Sequence, residues 1–249
     1  MKHMKNNYTL YARTYPALIS LLPFTVLGTI FSIELKNWIP IITSVGFVST
    51  GAFFLGQIGR DAGKKKESRL WVEWGGSPSV QILRHFNEHI NKHTKKLYHQ
   101  KLQSLCPVDP QITEEYEKQY PEKADEVYWH WTQFVIAQTR DINQFNLLFQ
   151  ENRNYGFRRN LWGLKSFAIG LILLAIAGDF IYFWYTEQSQ QVNLWSNEFF
   201  ISESILFLAL LLWIFLITKG WVKVTSFAYA ERLFESVHHI KREENVTHN

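Results

Sequence analysis

The chain has 249 residues, 47% apolar and 16% aromatic, with a formal net charge of +4 and one cysteine. The lone Cys106 excludes an intrachain disulfide framework and fits a reducing compartment. The small positive balance mostly reflects an excess of lysine and arginine beside the apolar segments, and is weak evidence for a nucleic-acid partner.

Two apolar hairpins enclose a long polar stretch. The first is 16–33 followed by 38–59, the second 166–185 followed by 199–218. Each segment approaches the roughly 20 apolar residues that cross a hydrocarbon core of about 30 Å. A backbone in lipid must satisfy its own polar groups, so stretches this continuous read as helices. The expected architecture is an all-α integral membrane protein. A transmembrane hairpin occupies 1–60, a cytoplasmic helical domain 61–160, a second hairpin 161–220, and a cytoplasmic helix and tail 221–249.

Orientation follows from lysine and arginine near the span ends. Lys2, Lys5 and Arg13 precede the first span. Arg60, Lys64, Lys65, Lys66 and Arg69 follow the second; Arg153, Arg158, Arg159 and Lys165 precede the third; Lys219 and Lys223 follow the fourth. The turn 34–37 has a single lysine and the loop 186–198 has neither lysine nor arginine. Both termini and the centre are therefore expected in the cytoplasm of a bacterial inner membrane, with both short loops outside. Trp38, Trp162, Trp184, Trp195 and Trp221 sit where interfacial aromatic belts are expected. The first span is followed at once by another and lacks a small-residue cleavage site, so it does not read as a signal peptide. Asn245-Val-Thr matches a glycosylation acceptor, but falls in the expected cytoplasmic tail.

In the first span, Pro16 suits a helix start and Pro23 a kink. In the second, Ser49, Ala52, Gly56, Gly59 and Gly63 fall on one helical face. Such a stripe lets backbones approach closely, either within the chain or at an oligomer seam. Ser77-Pro78 reads as an N-cap and first turn of a helix running to about Leu105, with Leu83, Phe86, Ile90 and Leu97 at helical spacing. Cys106-Pro-Val-Asp-Pro110 stops it, and an acidic stretch follows at 114–118. A second helix from Pro121 carries Val127, Trp131, Phe134, Gln138, Ile142, Phe145, Phe149 and Asn152 on its inward face. It either breaks at Gly156 or continues into the third span. The fourth span is expected to continue as a helix through Trp221, Val224, Phe227, Phe234 and Val237.

No catalytic constellation emerges, and neither a cofactor nor a metal is expected. Gly59-Arg-Asp-Ala-Gly63-Lys64 has three residues between its glycines and Lys65 after the lysine, so it fails the phosphate-loop pattern. His85, His89 and His93 share a face of the expected helix without cysteine or paired carboxylates, which reads as a solvated or interhelical stripe able to sense pH. Lys92, Lys95, Lys96 and Lys101, with Arg84 and Tyr98 nearby, form a basic cluster that reads first as a soluble helix surface near an anionic membrane, and second as a site that can attract phosphates. Tyr98, Trp129 or Trp131 can stack a base. Asp179, Glu203, Glu187 and Glu198 lie at the outer ends of spans three and four or in their loop. Asp179 and Glu203 either reach the outer interface or, with the loop residues around an oligomer axis, make acidic rings that favour cations.

The stretch from Gly59-Arg-Asp-Ala-Gly63-Lys64 through Glu67, Leu70, Trp74-Gly-Gly76 and Pro78 to Leu83-Arg-His85 resembles a motif of a bacterial four-span membrane family. Its 2+2 arrangement is similar to membrane effectors of Hailong-type anti-phage systems. That resemblance implies an oligomeric ion channel, a tetramer, held closed by deoxyadenosine oligomers from a partner nucleotidyltransferase. It identifies no ligand-contacting residue. The motif itself suits a junction: Trp74-Gly75-Gly76-Ser77-Pro78 reads as a turn into a capped helix, and with Arg60, Asp61 and Lys64 it marks a place where a gate would be coupled, or equally where a membrane protein needs a stable corner. The competing reading is a non-conducting scaffold that recruits a cytoplasmic partner. Topology is checked by reporter fusions: those after Leu105 and Asn249 are expected to report cytoplasm and one at Gln190 the outside, and a periplasmic signal at Leu105 overturns the orientation.

Overall fold

The computed structural model describes residues 8–187 and 191–241. Lys2, Lys5, Gln190 and the tail with Asn245-Val-Thr lie outside them. The described residues are helical, without a strand. In chain order the helices are α1 (Leu10–Glu34), α2 (Ile39–Trp74), α3 (Pro78–Leu83), α4 (Lys92–Leu105), α5 (Glu114–Gln119), α6 (Pro121–Gln138), α7 (Asn146–Thr186), α8 (Asn197–Phe215) and α9 (Lys219–Glu235). Four of them, α1, α2, α7 and α8, are long and apolar enough to cross a membrane; α2 is counted in a stretch that runs on to Leu83. The chain divides into two compact units, one of 2–67 with 153–222, the other of 68–152 with 223–249.

The first unit holds the apolar helices. Pro16 lies in the first turn of the regular α-helical part, Tyr15–Glu34, as expected, but a π-helical turn, Leu10–Thr14, precedes that part, and the Tyr15 N–H donates to the Leu10 carbonyl. The missing proline donor is where the ladder can change from i→i−5 to i→i−4 pairing. The expected continuation of the fourth span is also interrupted. α8 ends at Phe215 and α9 begins at Lys219. Lys165 Nζ donates to the carbonyls of Ile214 (2.9 Å) and Ile217 (2.7 Å), and Trp221 N–H donates to Thr218 Oγ1 (3.2 Å), so several of the groups freed at the break are bonded. Gly156 does not break α7, which runs through it.

The small-residue stripe packs within the chain. A Cβ on Gly59 would stand 2.8 Å from Leu164, one on Gly63 2.8 Å from Asn160 Oδ1, and one on Gly163 2.6 Å from the Gly63 nitrogen. Gly56 faces the Arg13 backbone, whereas Ser49 is exposed. Polar contacts lock the same seam. Arg159 Nη1 donates to Glu67 at 3.0 Å, the Tyr155 hydroxyl donates to the same oxygen, and Asn160 Nδ2 donates to the Ala12 carbonyl at 2.6 Å.

The second unit has a core of its own, built on Ile82, Leu83, Leu102, Tyr128, Trp131, Leu233 and Phe234. The helix expected from Ser77 to Leu105 is two, α3 and α4, joined by a loop at 84–91. Ser77 does cap α3, accepting from the Val80 N–H with Pro78 behind it. The loop wins because a side-chain cation takes its carbonyls, as described below, and because Asn91 caps α4 by accepting from the Thr94 N–H at 2.8 Å. The helix expected from Pro121 to Asn152 likewise stops at Gln138 and resumes at Asn146. Between them, Asp141 accepts through its side chain from Asn143 N–H (2.9 Å) and through its carbonyl from Phe145 N–H (2.9 Å). Phe145 and Trp131 are buried as expected; Gln138 is exposed. Phe227, Phe234 and Val237 of the C-terminal segment enter this core, and Val224 does not.

Gly163→Leu is expected to destabilise the first unit by about 3 kcal/mol through overpacking, whereas Gly46→Leu, with nothing within 4 Å of its Cβ, should be close to neutral. Thermal unfolding of the detergent-solubilised variants checks the contrast.

Candidate functional site

The basic cluster divides into cations held inside the fold and cations at a cavity mouth. Lys95 is 2% exposed. Its ammonium donates to the carbonyls of Arg84 (2.6 Å), His85 (3.2 Å) and Asn87, which uses its three protons and holds the 84–91 loop. Burial pushes its pKa below the usual lysine value. Arg84 is similarly engaged. Its Nε and Nη2 donate to Asp125 at 2.8 and 2.5 Å, and its Nη1 donates to the Gly75 carbonyl at 2.7 Å. The Asp125 hydrogen bond holds the guanidinium pKa above its ordinary value. Tyr98 is buried against Phe234 and His238, and burial pushes its hydroxyl up to about 12. It cannot stack a ligand base, nor can buried Trp131, whose Nε1–H donates to the Cys106 carbonyl at 2.9 Å. Trp129 is partly exposed and packs edge-on against Trp71.

Lys92, Lys96 and His93 remain exposed at the start of α4. With Lys95, His85, His99, Gln100, Gln111, Ile112, Thr113 and Glu114 they line a cavity of about 480 Å³. Lys101 is half-buried further along α4 and does not line it. The expected histidine stripe is dispersed, because His85 and His89 lie in the loop. His85 Nε2–H donates to the Ile112 carbonyl (3.3 Å), and His89 pairs with Glu231 at 2.5 Å. Among the described residues no three His, Cys, Asp or Glu are grouped to hold a metal ion.

The cavity contains a histidine pair that the sequence reading missed. The His85 and His99 rings stand edge-on with centroids 4.5 Å apart. His99 Nε2–H donates to the Leu83 carbonyl at 2.7 Å, leaving the buried Nδ1 lone pair without a partner. Burial, then the charge of His85, lowers the His99 pKa to about 4, so the ring is neutral near pH 7. Glu117, read from the sequence only as part of an acidic stretch, is buried and accepts from His85 N–H (2.9 Å) and the Tyr128 hydroxyl (2.6 Å). Burial and that bond raise the Tyr128 pKa. A cavity with ammonium groups at its mouth, side-chain amides and an unpaired imidazole acceptor suits a small anion that also carries a hydrogen-bond donor.

Of the junction residues, Trp74, Gly75 and Gly76 form a turn at the end of α2. Gly75 and Gly76 have φ of +83° and +126°. Their N–H groups donate to Val72 and Trp71, ending α2 in a Schellman motif beside Trp74. Arg60 and Asp61 pair with each other at 3.6 Å, and Lys64 is exposed. The acidic residues differ among themselves. Asp179 is fully buried and accepts from the Ser202 hydroxyl; Glu203 is partly buried. Glu187 accepts from the Ser196 N–H at 2.7 Å, and Glu198 lies in the first turn of α8.

No family model, curated protein or solved structure matches the chain.

The unfolded-state histidine pKa of about 6.5 lies above that of His99 in the fold, about 4. The unfolded chain therefore binds the extra proton, and stability falls as pH drops from 6.5 toward 4. His99 alone is expected to remove about 2 kcal/mol between pH 7 and 5. His99→Gln keeps a donor for Leu83 and should flatten that part of the profile, measured by chemical unfolding at both pH values.

Proposed function

We propose that this chain is an oligomeric membrane effector, an ion channel or membrane-disrupting protein gated through its polar unit by a nucleotide or oligonucleotide in anti-phage defence. The observation that carries the reading is the cavity of about 480 Å³ with Lys92, Lys96 and His93 at its mouth, in a chain that also has four membrane-length helices. In this reading the polar unit and both termini lie in the cytoplasm, as the lysine and arginine distribution favours. A ligand phosphate meets Lys92 and Lys96, and the rest of the ligand meets His85, His99 and the amides. The loop carrying His85 is tied by Arg84 to Gly75, at the end of α2, and α2 is itself one of the membrane-length helices. That gives binding a physical route to a span. The resemblance to Hailong-type effectors supports a deoxyadenosine oligomer as ligand and a nucleotidyltransferase as its source.

One observation favours the second reading, a non-conducting scaffold. Asp179 is enclosed within its own unit and bonded to Ser202, so its carboxylate is not presented to a shared pore. An acidic ring would then fall to Glu203, Glu187 and Glu198.

Purified protein in liposomes should release ions in discrete conductance steps, and short deoxyadenosine oligomers should alter that flux. Lys92→Glu with Lys96→Glu changes only exposed side chains. It should weaken oligomer binding at least ~10-fold and lower the log–log salt slope by about 1.4, two phosphate contacts at ~0.7 each. Absence of flux would favour the scaffold. Absence of oligomer binding at low salt would remove this ligand class.

A further inference from the structure

We propose that the apolar unit carries a docking groove for an anionic glycerophospholipid, with an acyl chain between α1, α7 and α8 and the phosphate against Arg153. This rests on the reading that the unit spans a bilayer, and is independent of any nucleotide ligand.

The groove is a cavity of about 390 Å³ whose lining includes Ile19, Pro23 and Val26 of α1, Leu161 of α7, and Ala209 and Trp213 of α8. Side chains of this kind offer hydrocarbon to an occupant. Leu212 and Leu216 on its wall are about half exposed, so the groove opens outward. A second cavity of about 400 Å³ shares Ile19 and Phe157 with the first and adds Tyr11, Tyr15 and Asn154. Polarity thus changes along one path, from wholly apolar walls to phenol and amide groups.

Positive charge stands at the polar end. The Arg153 guanidinium lies 4.2 Å over the Tyr11 ring, and its buried Nε–H has no hydrogen-bond partner. Arg158, next to Phe157, lies 4.6 Å over Trp221, which also lines the groove. A buried guanidinium donor without an acceptor is costly to leave so, and a phosphate oxygen supplies acceptor and counter-charge together. An apolar helix from a second copy would fill the hydrocarbon end but leave Arg153 Nε unpaired. A phospholipid satisfies both ends, with its headgroup at the arginine-rich end expected on the inner face.

The test is lipid retention by protein in mild detergent, read by native mass spectrometry after exchange with phosphatidylglycerol or phosphatidylcholine. The wild type should retain phosphatidylglycerol about tenfold more tightly than phosphatidylcholine. Arg153→Gln, which leaves the groove walls intact, should abolish that preference while still retaining lipid. Ala209→Phe should fill the groove and displace both lipids. Equal wild-type retention of the two lipids, or full retention by Ala209→Phe, overturns the proposal. So does loss of oligomers from lipid-free Ala209→Phe with no change in lipid binding, which would assign the groove to a second copy. If Ala209→Phe does not fold, Arg153→Gln alone decides: an unchanged preference overturns the proposal. Recovery of the wild type in the aqueous phase without detergent would instead overturn the membrane reading, whatever the lipid ratios.

Discussion

At Gly163 there is room for a hydrogen and nothing larger. A Cβ there would meet the Gly63 nitrogen and the Gly59 carbonyl within 2.8 Å, so α2 and α7 touch backbone to backbone. Helices in lipid gain little from hydrophobic exclusion and depend on such close packing. The polar contacts nearby require the same approach. Lys66 Nζ donates to the Gly163 carbonyl at 3.0 Å, and the mostly buried Arg159–Glu67 pair bridges the two helices with side-chain exposures of 10% and 13%. Removing one partner of such a pair leaves an uncompensated charge at a cost of about 3–5 kcal/mol. If the glycines are replaced, the helices separate and these bonds are lost with the packing.

The polar unit depends in a comparable way on Lys95. A buried ammonium is unfavourable alone, but three loop carbonyls surround this one. The exchange ends α3 after Leu83 and frees His85 to turn toward Glu117 and His99. The same charge that looks like ligand-binding capacity in the sequence therefore builds the wall of the cavity, and α4 divides its lysines by helical position. Lys95 faces inward, and Lys92 and Lys96 face solvent.

The apolar helices were legible because their lengths and continuous hydrophobicity leave a backbone few alternatives. The Trp74–Pro78 turn was legible because two glycines, a serine cap and a proline each restrict local geometry in the same direction. The breaks at 84–91, 139–145 and 216–218 were not, since hydrophobic period continues across them. Asn91 three residues before Thr94 and Asp141 two before Asn143 were the local signals available. Lys165, which bonds the carbonyls at the end of α8, is far from that break in sequence and gave no local sign of it. The cavity was half visible. Lys92 and Lys96 stood out by charge, whereas the His85–His99 pair depends on a loop whose existence follows from a tertiary contact.

That loop also bears on how occupancy would reach a span in the proposed channel. Its anchors include Lys95 on its carbonyls, Glu117 on the His85 N–H, the His85–Ile112 and His89–Glu231 contacts, and Arg84 shared between Asp125 and the Gly75 carbonyl. In the proposed channel, a ligand that bonds His85 or His99 competes with or reinforces these anchors, and Arg84 leads directly to the left-handed turn that ends α2. Gly76 adds a constraint there, because a Cβ on it would stand 2.9 Å from Arg84 Nη2. The guanidinium and the glycine turn therefore fix one another, and a displacement of the loop must either drag the end of α2 or break a charge-assisted bond. A ligand can shift the helix only by the difference in its affinity for the two loop positions. In the present arrangement His99 Nδ1 is the unpaired buried acceptor of the cavity wall. A ligand donor that reached this atom would shift the loop only by as much as the two loop positions differ in leaving it unpaired.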